Sequence, residues 1–272
     1  MTRRTAVNIL TGLMFFTLPS VAQAELSKDQ LNTLFAQAND AFRKANAERS
    51  GSVKADRLYE EAILAYEKII NQGRIKNAGL YYNLANTYFL KGDIGAAILN
   101  YRRAQKLDTD DANIQKNLEF ARSRRIDRVP VKTQKRVLHT LFFWHYDFSL
   151  KTKFVLTCIF FAVCCIALTV MVWLGRSAGA TTASVITGLL AICFLVSVAV
   201  QIKTQAAEIC GVITADEVIA RQGDGQNYTP SFKEPLHAGT EFNLLEARTG
   251  WLHIQLADDT DTWIPDHAAD LI

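Results

Sequence analysis

From Gln30 to Arg125 the apolar and small residues recur every three or four positions, the period of helices that each bury one face. Within Tyr81–Leu107, YYNLANTYFLKGDIGAAILNYRRAQKL, one stripe is Tyr81, Leu84, Ala85 and Tyr88, and a second is Ala97, Ile98, Tyr101 and Ala104. Gly92 supplies the positive φ that ends a helix, and Asp93 supplies a side-chain oxygen that starts the next, so the pattern predicts a helical hairpin. Alanines at 85, 97 and 104 permit close helix approach, and the aromatic rings fill the space between. An earlier, less regular copy places Leu34, Ala38, Asn39 and Phe42 on one helix and Tyr59, Ala62, Ile63, Tyr66 and Ile69 on the next. An insertion around Glu48–Ser52 separates them, predicting a longer first helix followed by a mobile loop. Ile114, Leu118 and Ala121 predict a single closing helix.

The pattern then changes twice. Phe154–Leu174 carries no charge over about 21 residues, which at about 1.5 Å per residue reaches roughly 31 Å, enough to cross a hydrocarbon core. Thr181–Val200 is a second, more polar uncharged run, closed by Gln201 and Lys203. The linker Gly175–Ala180 is short, so the two runs predict a transmembrane hairpin in which Ser184 and Gly188, four apart, admit close approach of the partner helix. After Lys203 come short β-rich runs at Ile209–Ile213, Glu217–Ala220, Glu241–Glu246, Trp251–Leu256 and Thr262–Ile264. Turn signals at Gly223–Gly225, Ala238–Gly239, Thr249–Gly250 and Asp258–Asp259 separate them, which predicts a small all-β barrel.

Charge sharpens the division. The formal net charge is only +3, yet residues 25–153 carry 23 Lys and Arg against 15 Asp and Glu, while residues 205–272 carry 3 against 12. A basic front and an acidic tail suggest two domains, and their mutual attraction should weaken with salt. Nucleic acid is an unsuitable partner, because the acidic module repels phosphates and the cations gather beside a membrane span. At the N-terminus Arg3 and Arg4, the apolar run Ala6–Leu18, Pro19 and Ala22-Gln23-Ala24 read as an export signal cleaved after Ala24; the alternative is an uncleaved anchor. Export puts the helical array and the β module outside and the hairpin linker inside. Against this, Arg122–Lys153 holds nine Lys and Arg and two acids, a charge bias that usually marks the cytoplasmic flank. The alternative role for this basic stretch is to rest on anionic headgroups, with Phe142, Phe143, Trp144, His145 and Tyr146 at the interface.

The expected organisation is a signal peptide at 1–24, a helical array at 25–128, a basic juxtamembrane segment at 129–153, spans at 154–174 and 181–202, and a β module at 207–272. Four of the five cysteines, Cys158, Cys164, Cys165 and Cys193, fall in the apolar runs, leaving Cys210 alone in the β module without a disulfide partner. His139, His145, His237, His253 and His267 form no metal-spaced pair, and there is no nucleophile motif or phosphate loop. Asp258, Asp259 and Asp261 lack the spaced glycine and glutamate of a calcium loop. No catalytic residue, cofactor or metal is therefore expected, and the chain reads as a non-enzymatic multidomain membrane protein.

The residues Tyr81, Leu84-Ala85, Tyr88, Ala97, Tyr101, Ala104 and Thr109 resemble the tetratricopeptide repeat, with Ala85 in place of glycine and Thr109 in place of proline. That resemblance implies a groove lined by the first helices that holds a protein or peptide. Its expected lining is Phe35, Asn39 and Phe42, then Tyr82, Asn83, Asn86 and Phe89, then Lys116, Phe120 and Arg124; the alternative is that these residues serve helix packing. An asparagine amide both donates and accepts, which suits it to a peptide backbone. Gly239-Thr240, Gly250-Trp251, Trp263-Ile264-Pro265 and Leu271-Ile272 resemble the bacterial SH3-like domain, which implies a site for cell-wall peptides or protein segments. Tyr228, Phe232, Trp251 and Trp263 either shape such a site or fill the core. The order of signal, repeats, membrane hairpin and SH3-like barrel resembles the BatE-type proteins of aerotolerance operons. This implies a scaffold on the periplasmic side of the bacterial inner membrane, partnered by von Willebrand factor A-domain Bat proteins and indirectly a MoxR-type ATPase. The alternative is a peptidoglycan-binding sensor.

Overall fold

The computed structural model describes residues 26–130, 133–207 and 209–272; the expected signal segment lies outside them. Among the described residues five helices come first: α1 (Lys28–Ala47), α2 (Val53–Asn71), α3 (Ala78–Lys91), α4 (Ile94–Leu107) and α5 (Ala112–Arg124). Ser27, Ser52, Asn77, Asp93 and Asp111 each accept a hydrogen bond from an early backbone N–H of the helix they precede, so every start is set by a local side chain. Gly92, at φ 98°, ends α3 and allows α4 to turn back on it. Ala38, Ala62, Ala85, Ala97, Ala104 and Ala121 are wholly buried at the contacts between helices, with Tyr66, Tyr101, Ile98 and Leu118 filling between them.

The expected longer first helix is present, and Glu48–Ser52 is the short link after it. The insertion extends both helices, giving 20 and 19 residues in α1 and α2 against 14 each in α3 and α4. Ala45, Ala55 and Tyr59 form an extra apolar cluster there, and the link is short and closed by a Ser52 N–H to Arg49 carbonyl bond of 3.1 Å. The added residues continue the helical stripe, so burial favours helix over loop.

After α6 (Thr133–Leu141) and the single turn α7 (Phe143–Tyr146), α8 (Leu150–Leu174) and α9 (Ala178–Ala207) pack against each other. Both are long and apolar enough to cross a membrane, with mean hydropathy 2.8 and 2.5. Gly188 lies against Cys164, whose Sγ donates to the Ser184 carbonyl at 3.4 Å. At the other end of the hairpin the fully buried Lys153 donates to the His145 carbonyl and to Gln201 Oε1, while His145 Nδ1 lies 2.7 Å from Ser197 Oγ. This polar knot ties α7 to both long helices.

Seven strands follow: β1 (Ile209–Ile213), β2 (Glu217–Val218), β3 (Leu236–His237), β4 (Glu241–Arg248), β5 (Trp251–Gln255), β6 (Asp261–Pro265) and β7 (Ala269–Leu271). Five form an antiparallel sheet in the order β6-β5-β4-β1-β7, and β2 pairs with β3. Ile213, Phe242, Leu252, Ile254 and Ile264 make the apolar core of this module. The expected barrel does not close among the described residues, because β6 and β7 stand at opposite edges of the sheet. Each edge is occupied by something other than a closing strand. Arg221 exchanges two 2.8 Å backbone bonds with Trp263 on β6, and Arg103 of α4 donates to the Leu271 carbonyl of β7 at 2.9 Å. Covered edges do not need pairing to stay soluble.

Candidate functional site

Two surfaces of the helical array are built for contact. The first is the face shared by α1, α3 and α5. Asn39 Oδ1 accepts from the Tyr66 hydroxyl at 2.7 Å, Asn46 Oδ1 from Tyr59 at 2.8 Å, and Asn86 Oδ1 from Tyr101 at 2.5 Å. Burial pushes the Tyr66 phenol up to about 12 and the Tyr101 phenol upward as well, so both remain donors. Each asparagine is thus turned by a tyrosine from the following helix. Its oxygen is committed inside the chain and its Nδ2 is left to donate. Asn117 Nδ2 reaches both the Tyr82 hydroxyl at 2.9 Å and Asn86 Oδ1 at 3.1 Å, which joins α3 to α5.

Around this polar row stand rings. Phe89 and Phe120 lie 5.4 Å apart, and the Arg124 guanidinium sits 5.1 Å over the Phe120 ring. Phe120 is 50% exposed and Phe35, edge-on to Tyr66, is 41% exposed, so neither is covered by the chain. Phe42 is half-buried against Tyr59, Tyr82 half-buried against Tyr101, Asn83 half-buried, and Lys116 exposed. The structure brings together Tyr82, Asn86, Phe89, Phe120 and Arg124; Phe35, Asn39 and Phe42 belong to the neighbouring unit. Asn117 and Asn46 were missed by the sequence reading. A signal for Asn117 existed: Asn39-x-x-Phe42, Asn86-x-x-Phe89 and Asn117-x-x-Phe120 repeat one spacing on α1, α3 and α5.

The second surface is the seam with the β module. α4 packs against β1, with Gly95 against the backbone of Ile213 and Thr214 and Ile98 against Gly239. Val212 joins the apolar cluster of Ala85, Ala97, Ile98 and Leu118. Glu241 is the polar centre: Arg122 grips both its oxygens at 2.7 Å, Arg102 approaches to 3.2 Å and Arg125 to 3.4 Å. Nearby, Asp127 accepts from the His237 N–H at 2.6 Å and the Thr240 hydroxyl at 2.7 Å, and its other oxygen lies 2.9 Å from His237 Nδ1. Burial would raise both carboxyl pKa values. The Arg122 bonds and the fields of Arg102 and Arg125 outweigh it at Glu241, and the His237 and Thr240 bonds outweigh it at Asp127, so both are held below their ordinary values. Basic array and acidic module therefore meet through particular, largely desolvated pairs.

Residues 78–111, which span α3, α4 and the turn into α5, match the family model described as tetratricopeptide repeat. The chain carries a tetratricopeptide repeat. Comparison with curated proteins gives no match. The repeat's two helices supply residues to both surfaces: α3 faces the Asn and Phe row, and α4 carries the β module.

The β-module aromatics differ in their surroundings. Trp263 is only 8% exposed, stacked on His253 at 4.5 Å with the Arg248 guanidinium 4.7 Å from its ring centroid. Arg248 is in turn held by Glu246 and Asp224, each at 2.8 Å. Phe232 packs on the module's core, Trp251 is half-buried opposite Arg248 and Pro265, and Tyr228 is exposed, its ring lying over Gly223. Among the described residues no group of three or more metal-binding side chains is assembled.

Proposed function

We propose that the protein is a non-enzymatic, membrane-anchored scaffold whose tetratricopeptide face captures a protein segment. The observation that carries this reading is the row of amide Nδ2 groups flanked by the uncovered Phe35, Phe120 and Arg124. Amide donors beside exposed rings suit an extended chain, which offers carbonyls at regular intervals and apolar side chains between them. The β module sits on α4 and the end of α5, so it leaves this row open. In our reading the module is SH3-like and the partner is a Bat-type membrane protein, with the assembly serving stress or oxygen tolerance.

A photo-crosslinking residue in place of Phe120, in the full chain in its native membrane, is expected to capture a discrete protein. The Arg124→Ala, Asn86→Ala background should lower that capture about tenfold, the effect of losing two contacts worth under 1 kcal/mol each. Equal capture from Leu64, exposed on α2, would sink the groove reading. Capture of peptidoglycan by the full chain, lost on Tyr228→Ala, would instead favour the cell-wall sensor.

The contacts between array and β module support one orientation rule. Modules that touch lie on one side of a membrane, so α8 and α9 cross it together or not at all; in our reading both cross. We place that side in the periplasm. Reporter fusions at residues 130 and 272 are expected to report the same compartment and a fusion at 178 the opposite one. Different compartments for 130 and 272 would refute it.

A further inference from the structure

Between the two modules, beside the Glu241 cluster, lies a cavity of about 420 Å³. Arg102, Arg122 and Arg125 line it from the helical array, with Glu119; Glu241, Asn243 and Gln255 line it from the sheet. Three guanidiniums thus share two carboxylates, and the sharing is uneven. Arg122 is satisfied by both oxygens of Glu241 and by Glu119. Arg102 and Arg125 are held only in part, Arg102 through an Nη1 bond to Gln105 Oε1 at 2.9 Å. Arg102 Nε stands 3.2 Å from Glu241 Oε1 but out of line for a hydrogen bond, and Arg125 reaches the same carboxylate only at 3.4 Å through a terminal nitrogen. The Nε atoms of both are buried with no acceptor.

Buried donors without acceptors are costly, and a carboxylate has room for about four hydrogen bonds, so Glu241 cannot satisfy all three arginines. The buried Nε atoms are closed off from the cavity, but both side chains line it, and their Nη2 groups, which no acceptor among the described residues holds, are the donors a ligand there can reach. We propose that the cavity is a binding site for a small oxyanion, a carboxylate or phosphate compound held between the array and the β module. Such a ligand would complete the hydrogen bonding of Arg102 and Arg125 with charge-assisted bonds and offset the excess positive charge. Asn243 and Gln255 offer polar groups to the rest of the molecule, and the volume exceeds that of a bare phosphate. Because its walls come from both modules, the ligand would favour the docked arrangement.

The test uses the full chain in detergent micelles at fixed ionic strength. Inorganic phosphate and succinate are titrated separately by calorimetry, with chloride as the control. Saturable binding of one or both is expected, and which one identifies the phosphate or carboxylate source. Arg125→Met should weaken it at least about tenfold, as expected for one lost charge-assisted bond. Glu119→Gln removes an opposing charge from a side chain that is 69% exposed and outside either core, and should tighten binding several-fold. Heats that never saturate, or saturable binding that neither substitution changes, would overturn the proposal.

Discussion

Glu241→Ala is expected to release the β module from the helical array while both keep their folds. The carboxylate belongs to neither apolar core, yet it is the shared partner of Arg102, Arg122 and Arg125. Removing one member of a desolvated pair leaves the others buried without compensation, at a cost of about 3 kcal/mol. That corresponds to roughly a hundredfold in the docking equilibrium. Hydrogen exchange on the full chain should show faster amides in β1, β7 and α4, with α1, α2 and the β5–β6 pair unchanged. Acid should act in the same direction. Glu241 and Asp127 have docked pKa values below their ordinary 4.5 and 3.8, so their contribution is complete above those values and disappears as pH falls through the lower docked ones. The seam should therefore hold at neutral pH and open only in strong acid. Salt should weaken it less than the sequence's charge asymmetry alone implies, because partly buried pairs are poorly screened. If Glu241→Ala leaves exchange in β1 and α4 untouched, the apolar contact alone holds the modules together.

What the sequence revealed divides along the range of the forces involved. The hairpin α3–α4 was legible because its alanine and tyrosine stripes, the Gly92 turn and the Asp93 cap are all local. So were the two long apolar helices. The longer α1 was legible too, and Glu48–Ser52 is the turn after it; the lengthening of α2 was not, because it rests on Tyr59 reaching back to Asn46 on the preceding helix. The open sheet was misread for a longer-range reason: strand runs and turns imply a barrel, but Arg103 and Arg221 cover the edges that a barrel would pair. The seam was visible only as opposite charge at the two ends. Nothing in the linear order singles out Glu241 as the partner of Arg122, 119 positions away. Of the groove, the large residues were named from the repeat pattern. Asn117 was not, because the aromatic and small positions of the repeat do not mark it and only the Asn-x-x-Phe spacing does.

Gly95→Leu is expected to separate the modules by shape alone. Gly95 lies in the first turn of α4, where a Cβ would stand 3.0 Å from the Ile213 carbonyl oxygen, 3.1 Å from Ala238 Cβ and 3.3 Å from Thr214 Cα. Two of these neighbours are backbone and cannot swing aside, so a larger side chain must push the sheet away from the helix. Overpacking of this kind costs about 1–3 kcal/mol. Gly95→Ala provides a sharper test because its two effects oppose each other. Within the helix, alanine is favoured over glycine by roughly 0.5–1 kcal/mol, so α4 itself should gain protection. Across the seam the same methyl group is too close, so β1 should lose protection. Opposite changes on the two sides of one contact cannot arise from a general loss of stability. Combined with Glu241→Ala, the Gly95→Leu effect on β1 should largely vanish, since a seam already open has nothing left to be wedged apart. Full additivity of the two would mean that the charge cluster and the α4–β1 contact hold independent parts of the molecule.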